Sequence, residues 1–285
     1  MKYGVVDIGS NSVRLMINKD GKTLYKLVKI TRLAEGMGDE KILKAQSVDR
    51  TVSAVSFFKE KAHQENVDEL FVFATAAVRM AKNKDYFVSE LKKVTNLCVD
   101  VISGEDEAYF GGLGVLKGAD GGVVDIGGAS AEISVFNGDL QVYSKSLNIG
   151  VVKVKDVCGQ DQEKAREFIL EKISGYGLVP NAKFFGIGGT ATSLASLALE
   201  LDPYDPEKID GYELSIEKIK QLSDLLYGLK IEDRAKLKGL QPERAEVIAG
   251  GALLMYEILN KLQAKSIVVS EGDNLEGYLI NKGLI

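Results

Sequence analysis

Two aspartates in this sequence stand in the same six-residue context and could hold a cation beside a phosphate. Residues 4–9 and residues 122–127 both read Gly-Val-Val-Asp-Ile-Gly, which places the acids at Asp7 and Asp125. In each copy an apolar run ends in Asp-x-Gly, and small or polar residues lead into a second apolar run. The pattern predicts a buried strand, a tight turn and a returning strand, with a carboxylate at the turn. Because Mg²⁺ prefers oxygen ligands, we expect both acids to bind metal or to line a phosphate site.

A third acid, Glu132, follows Asp125 by seven residues and lies on the predicted returning strand. If the two strands pair as a hairpin, the two carboxylates lie side by side and can share one Mg²⁺. The alternative is that Asp7 and Asp125 only accept hydrogen bonds at the strand ends. Their equivalent positions in the repeat favour the metal or phosphate role.

Four turns that carry glycine or hydroxyl groups follow apolar runs: residues 9–12, 104–107, 127–130 and 188–193. Glycine has no Cβ and lets several N–H groups approach one anion, and a helix N-terminus adds a positive dipole end. In an open α/β sheet such turns collect at the carboxyl ends of the strands, where we expect a phosphate site. The candidate phosphate ligands in three of these turns are Gly9, Ser10, Asn11, Ser12, Gly127, Gly128, Ala129, Ser130, Gly189 and Thr190.

The remaining turn contains three acids, Glu105-Asp106-Glu107, at the start of a predicted helix. Carboxylates in a first turn often do no more than complement the helix dipole. Alternatively, one of them is a general base that activates water, and the residues alone do not choose among the three. Arg79 follows another buried strand, where it is either a surface side chain or a fork that clamps a phosphate.

The composition excludes several kinds of active site. His63 is the only histidine and lies in a polar stretch typical of an exposed helix end, so a Ser-His-Asp hydrolase is not expected. Cys98 and Cys158 have neither a metal-binding spacing nor a disulfide framework, and the lack of a disulfide framework is typical of a reducing cytosol. A net charge of −5 argues against non-specific nucleic-acid binding, and no apolar run reaches the length of a membrane span. We expect a cytoplasmic protein with no nucleic-acid or membrane partner.

The elements that would position these residues form two similar α/β halves, each with three strands followed by alternating helices and strands. Hairpin turns are predicted at residues 18–21 and at Asn137-Gly138. Ser47 is the predicted N-cap of a helix that runs to about Glu65. We expect domains at 1–116 and 117–285, and the last helix either stays with the second domain or packs back on the first.

Together these motifs resemble the exopolyphosphatase/guanosine pentaphosphate phosphatase (Ppx/GppA) family, within the actin-like ATPase and sugar-kinase superfamily. The resemblance covers nearly the whole chain, and its most specific segment is Gly-Ser-Asn-Ser-Val-Arg at 9–14. The segments that carry it are residues 7–15, 32–36, 74–79, 102–108, 125–132, 188–192 and 243–245. It implies two ribonuclease-H-like domains that flank an interdomain cleft.

The resemblance also implies roles for single residues. Glu107 aligns with the family's catalytic carboxylate, and Arg79 with a phosphate-contacting arginine. Asp125 and Glu132 match positions needed for catalysis or for a divalent metal, and Asp7 completes the expected metal set. The expected activity is the Mg²⁺-dependent release of terminal phosphate, although another divalent cation could serve. Polyphosphate is the first expected ligand and guanosine penta- or tetraphosphate the second, and a homodimer is left open.

Three features of the chain depart from the family pattern, and two alternative functions stay open. Ala129 and Ala131 replace a usual glycine and a usual threonine, and Asp106 replaces a usual glutamate. Residues 270–277 lack the usual Gly-Leu-Arg before Glu-Gly, with Leu275 at the arginine position. One alternative is an ATP-dependent sugar or acetate kinase of the same fold. The other is a protein that binds polyphosphate or guanosine tetraphosphate without catalysis.

Overall fold

The computed structural model describes residues 1–38 and 40–285, which form two compact units. Unit 1 comprises Met1–Glu107 with Tyr278–Ile285, and unit 2 comprises Ala108–Gly277. Each unit contains its own β-sheet. The division into folding domains 1–116 and 117–285 stays a prediction.

Unit 1 is built on a five-stranded sheet. Its elements are β1 (Lys2–Ile8), β2 (Ser12–Lys19), β3 (Lys22–Ile30), α1 (Ala45–Gln64), β4 (Glu69–Ala74), α2 (Ala76–Met80), α3 (Lys84–Thr95), β5 (Asp100–Val101) and the start of α4 (Gly104–Leu116). The strand order is β3-β2-β1-β4-β5. Strand β1 pairs antiparallel with β2 and parallel with β4, and six of its seven residues are buried. A continuous apolar run is typical of such a central strand.

The first hairpin confirms the turn predicted at residues 18–21, whereas the predicted start of α1 is wrong. Asp20 and Gly21 have φ values of 50° and 81°, and Asn18 Oδ1 accepts a hydrogen bond from Gly21 N at 3.1 Å. These residue types tolerate the left-handed conformation that the turn requires. Helix α1 begins earlier, with Lys44 as its N-cap. The hydroxyl of Ser47 lies inside the helix, where it accepts a bond from Arg50 NH2 at 2.9 Å.

Unit 2 is built on a six-stranded sheet. Its elements are the rest of α4, β6 (Gly121–Ile126), β7 (Ala131–Asn137), β8 (Leu140–Leu147), α5 (Val151–Cys158), α6 (Gln162–Ile173), β9 (Phe184–Ile187), α7 (Gly188–Leu199), α8 (Pro206–Ile209), β10 (Glu213–Ser215), α9 (Ile216–Gly228), α10 (Ile231–Arg234), α11 (Ile248–Lys261), β11 (Ser266–Val269) and the start of α12 (Asn274–Asn281). The strand order is β10-β11-β9-β6-β7-β8.

The two sheets share one topology. The order β3-β2-β1-β4-β5 in unit 1 matches β8-β7-β6-β9-β11 in unit 2, where β10 adds an edge strand. This repeated order confirms the predicted pair of ribonuclease-H-like α/β domains. Helix α5 and strand β10 are elements that the sequence did not predict. Within the described residues, no helix has both the length and the hydropathy of a membrane span.

Candidate active site

The hairpins β1–β2 and β6–β7 carry the predicted acids at equivalent places. In the register of each antiparallel pair, Asp7 lies opposite Arg14, and Asp125 lies opposite Glu132. Residues opposite one another across an antiparallel pair project from the same sheet face, so their side chains are neighbours. The predicted pairing of Asp125 with Glu132 is therefore confirmed.

In the first hairpin the acid binds a cationic side chain. Both Nε and NH2 of Arg14 donate to Asp7 Oδ2, at 3.0 and 2.5 Å. Asp7 is only 4% exposed, so this ion pair is largely shielded from water. A guanidinium offsets the negative charge that would attract a metal, and the metal-binding role of Asp7 stays a prediction.

In the second hairpin the acid lies beside another acid, because Glu132 occupies the position that Arg14 has in the first. Ser146 Oγ donates to Glu132 Oε1 at 2.6 Å, and Asn274 Nδ2 donates to Asp125 Oδ2 at 3.2 Å. Glu132 is 2% exposed. Each of the two carboxylates therefore accepts a hydrogen bond from a neutral group, a hydroxyl at Glu132 and an amide at Asp125.

The chemistry of this pair fits a magnesium ion. Among the described residues, no group of three or more metal-binding side chains is assembled. Mg²⁺ does not need such a cage, since it is commonly bound by one or two carboxylates with water and substrate phosphates completing the octahedron. Asp125 and Glu132 would supply those carboxylates.

The two turns after β1 and β6 present backbone N–H groups in the same way. Gly9 N donates to Ser12 O at 2.9 Å, and Gly127 N donates to Ser130 O at 3.0 Å. The carbonyls of Ser10 and Gly127 accept bonds from Ala34 N and Val151 N. The C=O and N–H of one trans peptide point in opposite directions. The N–H groups of Asn11 and Gly128 are therefore directed away from the segments that support each turn.

Those supporting segments explain two features of the chain. The predicted motif at 32–36 packs its backbone behind the first turn, where Arg32 N donates to Asn11 O at 2.9 Å. Helix α5 packs behind the second turn, with Val152 N donating to Gly128 O at 2.8 Å. Gly150 allows this approach, because a Cβ there would overlap the Gly128 carbonyl.

The fourth turn opens α7 beside the second hairpin. Gly188 has φ of 74°, and a Cβ there would lie 2.7 Å from Asp125 Oδ1. Gly189 lies directly against the guanidinium of Arg244, so a helix N-terminus and an arginine meet at this point. Thr190 Oγ1 donates to Ile126 O at 2.7 Å and ties α7 to the end of β6. Contact of Gly189 and Thr190 with phosphate stays a prediction.

The three acids at the start of α4 differ in their exposure to solvent. Glu105 and Asp106 are exposed, and Asp106 Oδ2 accepts a bond from Ser103 Oγ at 2.8 Å. Glu107 is 7% exposed, and its Oε2 accepts a bond from Arg79 NH1 at 2.9 Å. Arg79 NH1 also donates to Ile102 O at 2.9 Å. The structure thus brings together the predicted base and the predicted phosphate-binding arginine.

A cavity of about 390 Å³ lies in unit 2 between the end of α7 and the loop at 235–242. Gln241 lines it, and Gln241 Oε1 accepts a bond from Arg244 Nε at 3.1 Å. Tyr204 also lines the cavity, and its hydroxyl donates to the Glu271 carboxylate. The pKa of this hydroxyl is raised, mainly because the group is desolvated and secondly because the Glu271 charge lies beside it. One residue of the cavity wall, Gln241, therefore contacts the arginine that lies against the α7 N-terminus.

Sequence reasoning assigned no role to Arg14, Ser146, Arg244 or Asn274. Arg14 and Arg244 lie within motifs that carry the family resemblance, so their positions in the sequence were a signal. Ser146 and Asn274 contact Glu132 and Asp125 from 14 and 149 residues away, and nothing local in the sequence indicates those contacts.

Comparison with known proteins places the chain among phosphatases. A bifunctional 3-dehydroquinate synthase/phosphatase of Fusobacterium nucleatum is 31% identical over 96% of this chain, which spans 46% of that protein. Exopolyphosphatase 2 of Mycobacterium tuberculosis is 28% identical, with 98% of both chains covered. A guanosine-5'-triphosphate,3'-diphosphate pyrophosphatase of Aeromonas salmonicida is 27% identical over 97% of this chain, which spans 58% of that protein.

A solved structure agrees. The Aquifex aeolicus member of the Ppx/GppA protein family is 29% identical and has a TM-score of 0.81, with 100% of this chain and 98% of that chain covered. The model of the Ppx/GppA phosphatase family matches residues 14–284. These matches confirm the resemblance drawn from the sequence motifs, and the chain belongs to the Ppx/GppA phosphatase family.

Proposed function

We propose that this chain hydrolyses phosphoanhydrides and releases the terminal phosphate of inorganic polyphosphate or of guanosine pentaphosphate. The contact between Glu107 and Arg79 carries the proposal. It joins a buried carboxylate, suited to take a proton from water, to a guanidinium suited to bind phosphate. The relatives named exopolyphosphatase and guanosine-5'-triphosphate,3'-diphosphate pyrophosphatase support both substrates.

Arg79 binds the terminal phosphoryl group in this proposal. Within the described part of the chain, Arg79 donates to Glu107 and to Ile102 O, and the same nitrogen, Nη1, makes both hydrogen bonds. Guanidinium has five N–H donors in a fixed plane, so Nε and NH2 keep donors for phosphate oxygens. The Arg79 side chain is 23% exposed, which leaves it accessible to a ligand.

Glu107 acts as the general base. Its carboxylate takes a proton from the attacking water, the water oxygen bonds to phosphorus, and the bridging oxygen leaves with the shortened chain. The hydrogen bond from Arg79 fixes the orientation of the carboxylate. The N–H group of Asn11, in the same unit as Glu107 and Arg79, contributes a further donor to the phosphoryl oxygens.

Asp125 and Glu132 would hold the divalent cation. When bound, Mg²⁺ would neutralise charge that develops on the phosphoryl oxygens. Asp7 was also expected to bind metal, but Arg14 already supplies its countercharge. We therefore propose the second hairpin, rather than the first, as the cation site.

The cavity beside Gln241 supports guanosine pentaphosphate as a second substrate. Its volume of about 390 Å³ lies within the range of small-molecule pockets, and its walls combine apolar side chains with polar ones. A nucleoside attached to a phosphate at Arg244 could enter it. Polyphosphate has no group that requires such a cavity.

Phosphate release tests the proposal. Purified protein is incubated with polyphosphate and, in parallel, with guanosine pentaphosphate, each with MgCl₂ and with EDTA. We expect release from at least one substrate and none in EDTA. Phosphorylation of a sugar by ATP without release from either substrate would instead identify a kinase. Tight binding of polyphosphate or guanosine tetraphosphate without turnover would identify a binding protein.

A further inference from the structure

Asn274, at the start of α12, contacts Asp125 although no motif marks it. Its side chain is 2% exposed, and Nδ2 donates to Asp125 Oδ2 at 3.2 Å. Its other polar atom, Oδ1, is buried and has no hydrogen-bond partner among the described residues. The amide therefore satisfies a carboxylate with one end and leaves an acceptor unsatisfied at the other.

An unsatisfied buried amide oxygen makes Asn274 an unfavourable residue for stability alone. A buried polar atom without a partner loses its hydration and gains nothing in exchange. Leucine has the same number of side-chain heavy atoms and has no oxygen to leave unsatisfied, although it also lacks the donor to Asp125. A residue that breaks a local rule of folding is expected at functional sites.

The backbone around Asn274 keeps the amide in place. Residues 272–277 pack against α4 through glycines, and a Cβ at Gly114 or Gly277 would overlap the carbonyl of Asp273 or Phe110. A Cβ at Gly111 would lie 2.9 Å from Asn274 Oδ1. The amide orientation is also chemically fixed, because only Nδ2 can donate to a carboxylate.

The two hairpins show what a neutral donor achieves. Asp7 receives its hydrogen bonds from the cationic Arg14, whereas Asp125 receives one from an uncharged amide. An amide donor orients the carboxylate without bringing a countercharge of its own. Hydrogen-bond partners of this kind orient the ligands of metal sites and raise metal affinity.

We propose that Asn274 is a positioning residue that orients the Asp125 carboxylate for the divalent cation. This inference rests on the proposed role of Asp125 in cation binding. It assigns to α12 a direct influence on the site in unit 2.

The test compares Asn274→Leu with Asn281→Leu, an exposed asparagine at the other end of the same helix. Binding of Mn²⁺ and Mg²⁺ is measured by calorimetry and by the rise in Tm that each cation causes. We expect Asn274→Leu to keep a cation-free Tm close to that of the wild type, because the lost donor to Asp125 and the removed unsatisfied oxygen have opposite effects. Its cation affinity falls about 10- to 100-fold, the usual effect of losing such a partner, whereas Asn281→Leu matches the wild type.

A second variant perturbs the same amide without removing a polar group. Gly111→Ala pushes on Asn274 Oδ1, and we expect it also to weaken cation binding. Unchanged cation affinity in both Asn274→Leu and Gly111→Ala would overturn the proposal, as would a wild type that binds neither cation. A fall in cation-free Tm with unchanged affinity would show that Asn274 is structural only.

The outcome can be separated from that of the proposed function. If the wild type releases no phosphate but Asn274→Leu still loses cation affinity, the positioning role stands and the hydrolase proposal fails. If the wild type releases phosphate and Asn274→Leu has the same Mg²⁺ dependence as the wild type, the positioning role fails alone.

Discussion

Replacement of Glu107 by glutamine distinguishes a catalytic role from a structural one, because its expected effect on the activation free energy is larger than its effect on the free energy of unfolding. Loss of a general base lowers a rate about 10²- to 10⁴-fold, which corresponds to about 3–5 kcal/mol of activation free energy. Glutamine keeps the shape of glutamate, and its side-chain oxygen can still accept the bond from Arg79 NH1 at 2.9 Å. Only the charge assistance is lost, which costs about 1 kcal/mol of unfolding free energy. For a domain of about 100 residues, that lowers Tm by about 4–8 °C.

The assay measures phosphate release at saturating Mg²⁺, and thermal unfolding is followed on the same samples. Glu105→Gln is the matched control, since Glu105 opens the same helix but is exposed. We expect Glu105→Gln to retain wild-type activity and Glu107→Gln to be folded at the assay temperature but inactive. If Glu107→Gln retains more than about a tenth of the wild-type rate, the general-base assignment is wrong.

Two further predictions concern unit 2. Gly188→Ala places an L-residue at φ of 74° and brings its Cβ to 2.7 Å from Asp125 Oδ1. We expect the free energy of unfolding to fall by about 1–2 kcal/mol and the activation of phosphate release by Mg²⁺ to weaken. Gly211→Ala, at φ of 80° with no neighbour within 4 Å, should show the stability loss without the Mg²⁺ effect; equal Mg²⁺ responses would contradict this reasoning. Burial raises the pKa of Tyr227 to about 12, so its contribution to stability is complete below about pH 10, the ordinary tyrosine value, and is lost as the pH rises toward 12. The free energy of unfolding, measured with urea between pH 9 and pH 12, should therefore fall less steeply with pH for Tyr227→Phe than for the wild type. Identical slopes for the two proteins would refute that pKa shift.

The repeat made the sheets and the hairpin acids predictable. Six identical residues ending in Asp-x-Gly are typical of one local structure, and strand alternation then places Glu132 opposite Asp125. The choice among three acids at the start of α4 needed the structure. It depends on which side of the helix packs inward, and the short first turn has no apolar periodicity that reveals it. Whether the remaining predicted ligands contact phosphate or metal stays a prediction.

The missed contacts have a common physical cause. Asn274 reaches Asp125 across 149 residues of sequence, and a hydrogen bond between distant segments leaves no local pattern. Helix α5 was missed for a related reason, since its first residues donate N–H groups to a turn from which two strands, β7 and β8, separate it. The wrong N-cap at Ser47 reflects a residue type that caps helices often but also bonds inside them.

The two hairpins also offer a rule for interpreting other sequences of this kind. Both hairpins contain the segment Gly-Val-Val-Asp-Ile-Gly. Its aspartate lies opposite an arginine in the first hairpin and opposite a glutamate in the second. The aspartate itself therefore does not distinguish a cation site from an internal ion pair. The residue seven positions later does, because the returning strand places it directly opposite. In our proposal a glutamate there would let the turn hold a cation, whereas an arginine there pairs with the aspartate.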